Sequence, residues 1–293
     1  MPIRHTRRTA LLAPLLLVGA CATPATLPEE NGRPSLPAPT RQVYRLVLPF
    51  DAYQLSLAEY YTVSTAQDRL IRACMGRLGH EWTAVDRPAQ AVELKNRRRY
   101  GVIEPAVAKR FGYHAPKELL DPYQVAQLEE EREAALSPEA KKAALDPSDG
   151  CSLKAHRQLL RGTATDYRKL DTLDTKNFKD SQTAPAVKRA VRAWSTCMHD
   201  EGYDYPSPEE AVNDPRWWEN ATASASRQEI TTARADVRCK QRTDLVRTWF
   251  AAEKNLEEST VRQHGRYFHG LKTAKLRQLR TARAVLTDRE SEG

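Results

Sequence analysis

Five cysteines, a scatter of histidines and a run of arginines near one end hold whatever chemistry this chain of 293 residues can do. Cys74, Cys151, Cys197 and Cys239 are an even set. No two of them stand at the short spacing a zinc site needs, and no histidine completes one, so the thiols are expected to form disulfides rather than hold a metal. Of the histidines, His80, His114, His156, His199, His264 and His269 lie beyond the amino-terminal stretch, and none sits in a His-Glu-x-x-His pattern. His199-Asp200-Glu201 suggests acid-base work, but a histidine in a final helical turn is there more often because its charge suits the negative helix end. The run Glu129-Glu130-Glu131 with Glu133 is read as a solvated helix face, and Trp217-Trp218 as packing after a helix start. No nucleophile-base pair, glycine-rich phosphate loop or metal-ligand set is visible. Neither a cofactor nor a catalytic residue is therefore expected.

The fifth cysteine has different surroundings. Residues 1–20 carry Arg4, Arg7 and Arg8 and no acid, then an apolar run from Ala10 to Ala20 that closes as Val18-Gly19-Ala20-Cys21. A charged start, a short apolar middle and a small-residue cleavage site describe a signal peptide, since a membrane span needs about 20 apolar residues. The ending resembles a bacterial lipobox, which implies acylation of Cys21 and a mature chain tethered to the outer face of the plasma membrane. Thr6-Arg7-Arg8-Thr9 is also a partial twin-arginine pattern, so the export route stays open. Residues 21–42 hold prolines at 24, 28, 34, 37 and 39 and little that packs. They read as a semi-stiff stalk of about 3.1 Å per residue. Outside the cytoplasm thiols are not kept reduced, which strengthens the case for disulfides.

A self-comparison divides the remainder. Cys74-Met75 is followed by Gly79 and Cys197-Met198 by Gly202, one Cys-Met-x3-Gly phrase in each half, and each phrase precedes a lone cysteine. The reading is a helix that ends just after Cys-Met, turned by a glycine in the left-handed cap conformation, with the cysteine clamping its last turn to a later helix. Four cysteines allow three connectivities. The simplest is Cys74 with Cys151 and Cys197 with Cys239, with the swapped pairings still open. The domains that follow are 43–180 and 181–293, two related halves.

These phrases, the Cys21 ending, Pro49-Phe50-Asp51-Ala52-Tyr53, Arg99-Tyr100-Gly101, Phe111-Gly112-Tyr113-His114 and Gly150-Cys151 together resemble a set of secreted or lipid-anchored proteins of high-GC Gram-positive bacteria. The resemblance covers most of residues 45–240. It implies an envelope location, and transfers no activity and no catalytic residue.

Helix starts are legible throughout. Ser56 with Glu59 makes a capping box, Pro105 and Gly112 bracket a short helix, and Asp121-Pro122, Ser137-Pro138, Thr183, Ser207-Pro208 and Asp214-Pro215 open others. Strand signal is confined to 81–85 and 99–103, short enough for one small hairpin or for irregular loops. The expected fold is all-α, with that minor hairpin and a long carboxy-terminal helix. If Ser226 to Leu286 were one helix it would run roughly 90 Å, with Gly265 and Gly270 as places to bend.

That final stretch carries the charge pattern. Between Glu258 and Asp288 there is no acid, but seven bases. At 100° per residue Arg262, Arg266, Lys272, Arg277, Arg280 and Arg283 share one side, with Lys275 and Leu276 as exceptions to the division from the apolar side. Such a helix rests one side on protein or lipid and turns the other to solvent or to anions, either lipid heads or wall polymers. Nucleic acid is not expected as a partner outside the cell. The function expected is a non-enzymatic binding or structural module of the envelope, with an unrecognised envelope hydrolase as the alternative. A ligand receptor built of two α/β lobes is disfavoured by the lack of strands.

Overall fold

Many of the helices begin where a short polar side chain or a proline serves the first turn. In the computed structural model, which describes residues 36–114, 116–120, 123–162, 166–219 and 224–287, thirteen α-helices follow one another with no strand among the described residues. The first is the short α1 (Arg41–Tyr44), then come α2 (Leu57–Arg77) and α3 (Pro105–Phe111). Next are α4 (Val125–Ala134), α5 (Pro138–Leu145), α6 (Cys151–Leu159) and α7 (Tyr167–Thr183). α8 (Pro185–Asp200), α9 (Pro208–Val212) and α10 (Pro215–Trp218) lead to three long helices, α11 (Arg227–Arg242), α12 (Leu245–Gln263) and α13 (Gly265–Thr287).

The capping box at Ser56 forms in both directions, with Glu59 N 3.3 Å from Ser56 Oγ and Ser56 N 2.8 Å from Glu59 Oε2. Ser137, Ser207 and Asp214 cap α5, α9 and α10 as expected. Such a cap contributes about 1 kcal/mol. Thr183 does not open α8. It ends α7, its hydroxyl donating to Asp180 O, and Ala184 then leads into Pro185 without a side-chain cap. Asp121-Pro122 lies outside the described residues, and α4 starts at Val125 behind Gln124, whose φ is +52°.

The expected hairpin is absent. Residues 81–85 and 99–103 are loops and turns, in which side chains rather than a second strand reach backbone carbonyls. Trp82 O accepts from Arg72 Nε at 3.2 Å, and Val102 O from Lys240 Nζ at 3.0 Å. A buried carbonyl needs a partner but not a ladder.

Both Cys-Met phrases end their helices in the same way. Met75 O accepts from Leu78 N and His80 N, and Met198 O from Glu201 N and Tyr203 N, while Gly79 and Gly202 take φ of +78° and +87°. The match runs further along the chain. The side chain two residues before each cysteine donates to the carbonyl eight residues after it, Arg72 to Trp82 and Ser195 to Tyr205.

The principal core is drawn from both sides of residue 180, with Leu94, Tyr113 and Leu119 against Trp194, Met198, Ala233 and Leu245. Leu36 already packs on this core and Arg97 donates to Pro37 O, so the packed body begins several residues before the end of the expected stalk. The helical run from 226 is broken twice, at Thr243-Asp244, where Asp244 has φ +55°, and at His264 next to Gly265. Gly270 lies inside α13 and does not end it.

Candidate functional site

The four body cysteines pair as Cys74–Cys151, with Cα atoms 5.7 Å apart, and Cys197–Cys239, 5.6 Å apart. The first ties the last turn of α2 to the first residue of α6, and the second ties α8 to α11. Chain entropy alone assigns loops of 77 and 42 residues about 4 kcal/mol each. Cys21 lies outside the described residues.

The basic face depends on how α13 is seated. Phe268, Leu271, Ala274, Leu279 and Ala282 are its buried stripe, set against Val63 and Ala66 of α2, Leu159 of α6 and the turn at Phe50 and Tyr53. Burying one large apolar side chain is worth about 1.5–3 kcal/mol, so this stripe is committed to protein and cannot also enter lipid. Outward, Arg266, Lys272, Arg277, Arg280 and Arg283 are all exposed. Arg277 donates to Gly162 O, and no carboxylate among the described residues pairs with any of the five. Arg262, also exposed, belongs to α12 on the other side of the break at His264 and so is not part of this row. The two exceptions on the wheel are equally informative. Lys275 is on the packed side, 2.8 Å from Glu59, and Leu276 stands 45% exposed among the bases.

A second cluster was not singled out from the sequence. Arg99 reaches into a group of carboxylates: its Nε is 2.8 Å from Glu253 Oε1, a terminal nitrogen is 2.7 Å from Asp174 Oδ1, and Tyr100 donates to Glu253 Oε2 at 2.7 Å. Glu257 completes the group. Its Oε2 accepts from Phe50 N at 2.8 Å, while its Oε1, 4.0 Å from Arg99, has no hydrogen-bond partner. Burial pushes the Glu257 carboxyl up to about 8, reinforced by Glu253 and Asp174 and opposed by Phe50 N–H and Arg99. Oxygens of Asp174, Glu253 and Glu257 lie within 4.8 Å of one another, a span that suits a divalent cation. The Arg99 guanidinium already stands among them as the counter-charge, and Glu257 is fully buried, so the group holds elements together rather than meeting a substrate. A signal for it did exist, because Glu253 and Glu257 continue the buried row of α12 that starts at Val246 and Trp249.

Two further buried ionic groups stand one on each side of residue 180. Trp194 Nε1 donates to Asp236, which Lys240 also holds at 2.9 Å, and Trp82 Nε1 donates to Asp68, which Arg87 and Arg132 hold. Burial raises the Asp236 carboxyl, opposed by Lys240. Glu129 is therefore not only a solvated residue, since it also pairs with buried Arg87. His199 is exposed in the last turn of α8, as its spacing implied. Trp217 is core, while Trp218 is 41% exposed with its ring tilted against His114, centroids 4.3 Å apart, and His114 Nδ1 is 2.9 Å from Glu229. No helix of the described residues is long and apolar enough to cross a membrane. Comparison with family models, with curated proteins and with solved structures finds no match to this chain.

Proposed function

We propose that this chain is an extracytoplasmic lipoprotein, acylated at Cys21 and held on the outer face of the plasma membrane. Its helical body binds phosphate-bearing anionic surfaces through α13. The observation that carries the proposal is the outward row Arg266, Lys272, Arg277, Arg280 and Arg283, exposed and without a carboxylate partner among the described residues. A base near an anionic membrane contributes about 1 kcal/mol, so five give about 5 kcal/mol, a millimolar affinity taken alone. That is enough for a tethered protein, because a short tether supplies millimolar effective concentration. The oxidised cysteine pairs support the compartment, and the matched helix ends support an origin of the body in two related halves.

Sedimentation of the purified chain with vesicles containing anionic lipid, and separately with a soluble glycerol-phosphate polymer, tests the reading. Binding to one or both should weaken steeply as salt rises. The double substitution Arg280→Glu/Arg283→Glu should abolish it, and is preferable to altering Arg277, which holds the Gly162 carbonyl. Binding that ignores both salt and the substitution would overturn the proposal. The mass of the native amino terminus tests acylation separately.

A further inference from the structure

A groove on a different face, bounded by α7, α8, α9 and α12, has the form of a ligand site. Two adjoining cavities of about 300 and 280 Å³ share Gln182, Pro208, Glu209 and Trp249. Their volumes are at the lower limit of small-molecule sites, which run from about 300 Å³ upward. The walls are apolar. Trp249 lies against Phe178, rings 5.4 Å apart and stacked, and Val187, Val191, Pro208 and Val212 complete the lining. Uncharged hydrogen-bonding side chains are few, chiefly Gln182 and Ser207, too sparse a fringe for a sugar.

Exposed basic side chains stand at one end. Lys188 and Arg192, one turn apart on α8, line the first cavity, are exposed and have no ion-pair partner among the described residues. Glu209 is the only acid lining either cavity among the described residues, which leaves one net positive charge at this end. At the other end Arg99 is matched by Asp174 and Glu253, and Arg98, which lines the same cavity, donates to Tyr113 O at 3.0 Å. A trough walled by Trp249, Phe178 and valines, with two exposed bases at one end, is complementary to a chain with one anionic head.

We infer that this groove binds an acyl carboxylate, its head between Lys188 and Arg192 and its alkyl chain along Trp249 and Phe178. The site shares no residue with the basic row of α13, so the two ideas fail independently.

The test is calorimetric titration of the intact chain with straight-chain alkanoates from six to fourteen carbons, below micelle-forming concentrations. Each added methylene should tighten binding about fourfold, the equivalent of about 0.8 kcal/mol, until the trough is full and the gain stops. Dodecanol should bind at least tenfold more weakly than dodecanoate. Lys188→Glu/Arg192→Glu should lose at least tenfold for dodecanoate and little for dodecanol. Val191→Trp, at a half-buried groove position, should block both while leaving the circular dichroism of the protein unchanged. Equal binding of alcohol and carboxylate, a gain that never levels off, indifference to Val191→Trp, or absence of saturable binding would each overturn the inference.

Discussion

Replacing Glu257 by glutamine should make this protein more stable, and increasingly so as the solution becomes alkaline. The native carboxyl holds its proton up to about pH 8, against an ordinary value of 4.5. Between those limits the folded chain binds more protons than the unfolded one, so unfolding free energy falls as pH rises across that window and levels off above it. At 1.36 kcal/mol per pH unit, the accumulated cost is about 3 kcal/mol by pH 7 and about 5 kcal/mol by pH 9. Glutamine keeps an oxygen for Phe50 N–H and offers an amide to the carboxylates of Glu253 and Asp174, without the charge. Urea unfolding followed by circular dichroism at pH 4.5, 7 and 9, disulfides intact, measures the difference between variant and parent. The two should agree within about 1 kcal/mol at pH 4.5 and diverge by several at pH 9. Glu253→Gln is the contrasting case: it removes the carboxylate that Arg99 and Tyr100 share and should destabilise by about 3–5 kcal/mol even at pH 7. A variant-to-parent difference for Glu257→Gln that stays flat across the three pH values would refute the argument.

Other substitutions follow from backbone and bridge geometry. Cys197→Ala/Cys239→Ala should cost about 4 kcal/mol in urea unfolding, and Cys74→Ala/Cys151→Ala slightly more because its loop is longer. Gly112→Ala should lower the melting temperature sharply, since its φ is +54° and a Cβ there would stand 2.5 Å from Glu229 Oε1. Gly270→Ala should raise it, by about 0.5–1 kcal/mol of stability, because that position is inside a helix with nothing near the added carbon.

What could be read from the residues alone was local. Ser56, Ser137, Ser207 and Asp214 announced their helices because a cap depends on neighbours three residues away. The helix ends could be read from each Cys-Met phrase by itself, and of the three cysteine connectivities left open the simplest is the one that forms. Residues 81–85 and 99–103 misled because β-branched residues between turns resemble a strand until distant Arg72 and Lys240 claim their carbonyls. The break at His264 falls beside Gly265, one of the two glycines marked for a bend, whereas the break at Asp244 carries neither proline nor glycine and was not legible. The carboxylates around Arg99, those of Asp174, Glu253 and Glu257, come from two other helices far along the chain, a meeting that no periodicity encodes. The outward row on α13 was nearly right, losing Arg262 to the break.

The seat of α13 on α2 has a consequence for how the molecule is made. Val63 and Ala66 stay uncovered until Leu279 and Ala282, more than two hundred positions later, have left the ribosome, and Arg69 waits equally long for the Leu286 carbonyl it binds at 2.6 Å. A chain synthesised from its amino end therefore cannot finish its fold until its final turns emerge. A stop codon ahead of Leu271 would leave a sticky furrow along α2, and with it a strong inducement to aggregate or to be degraded.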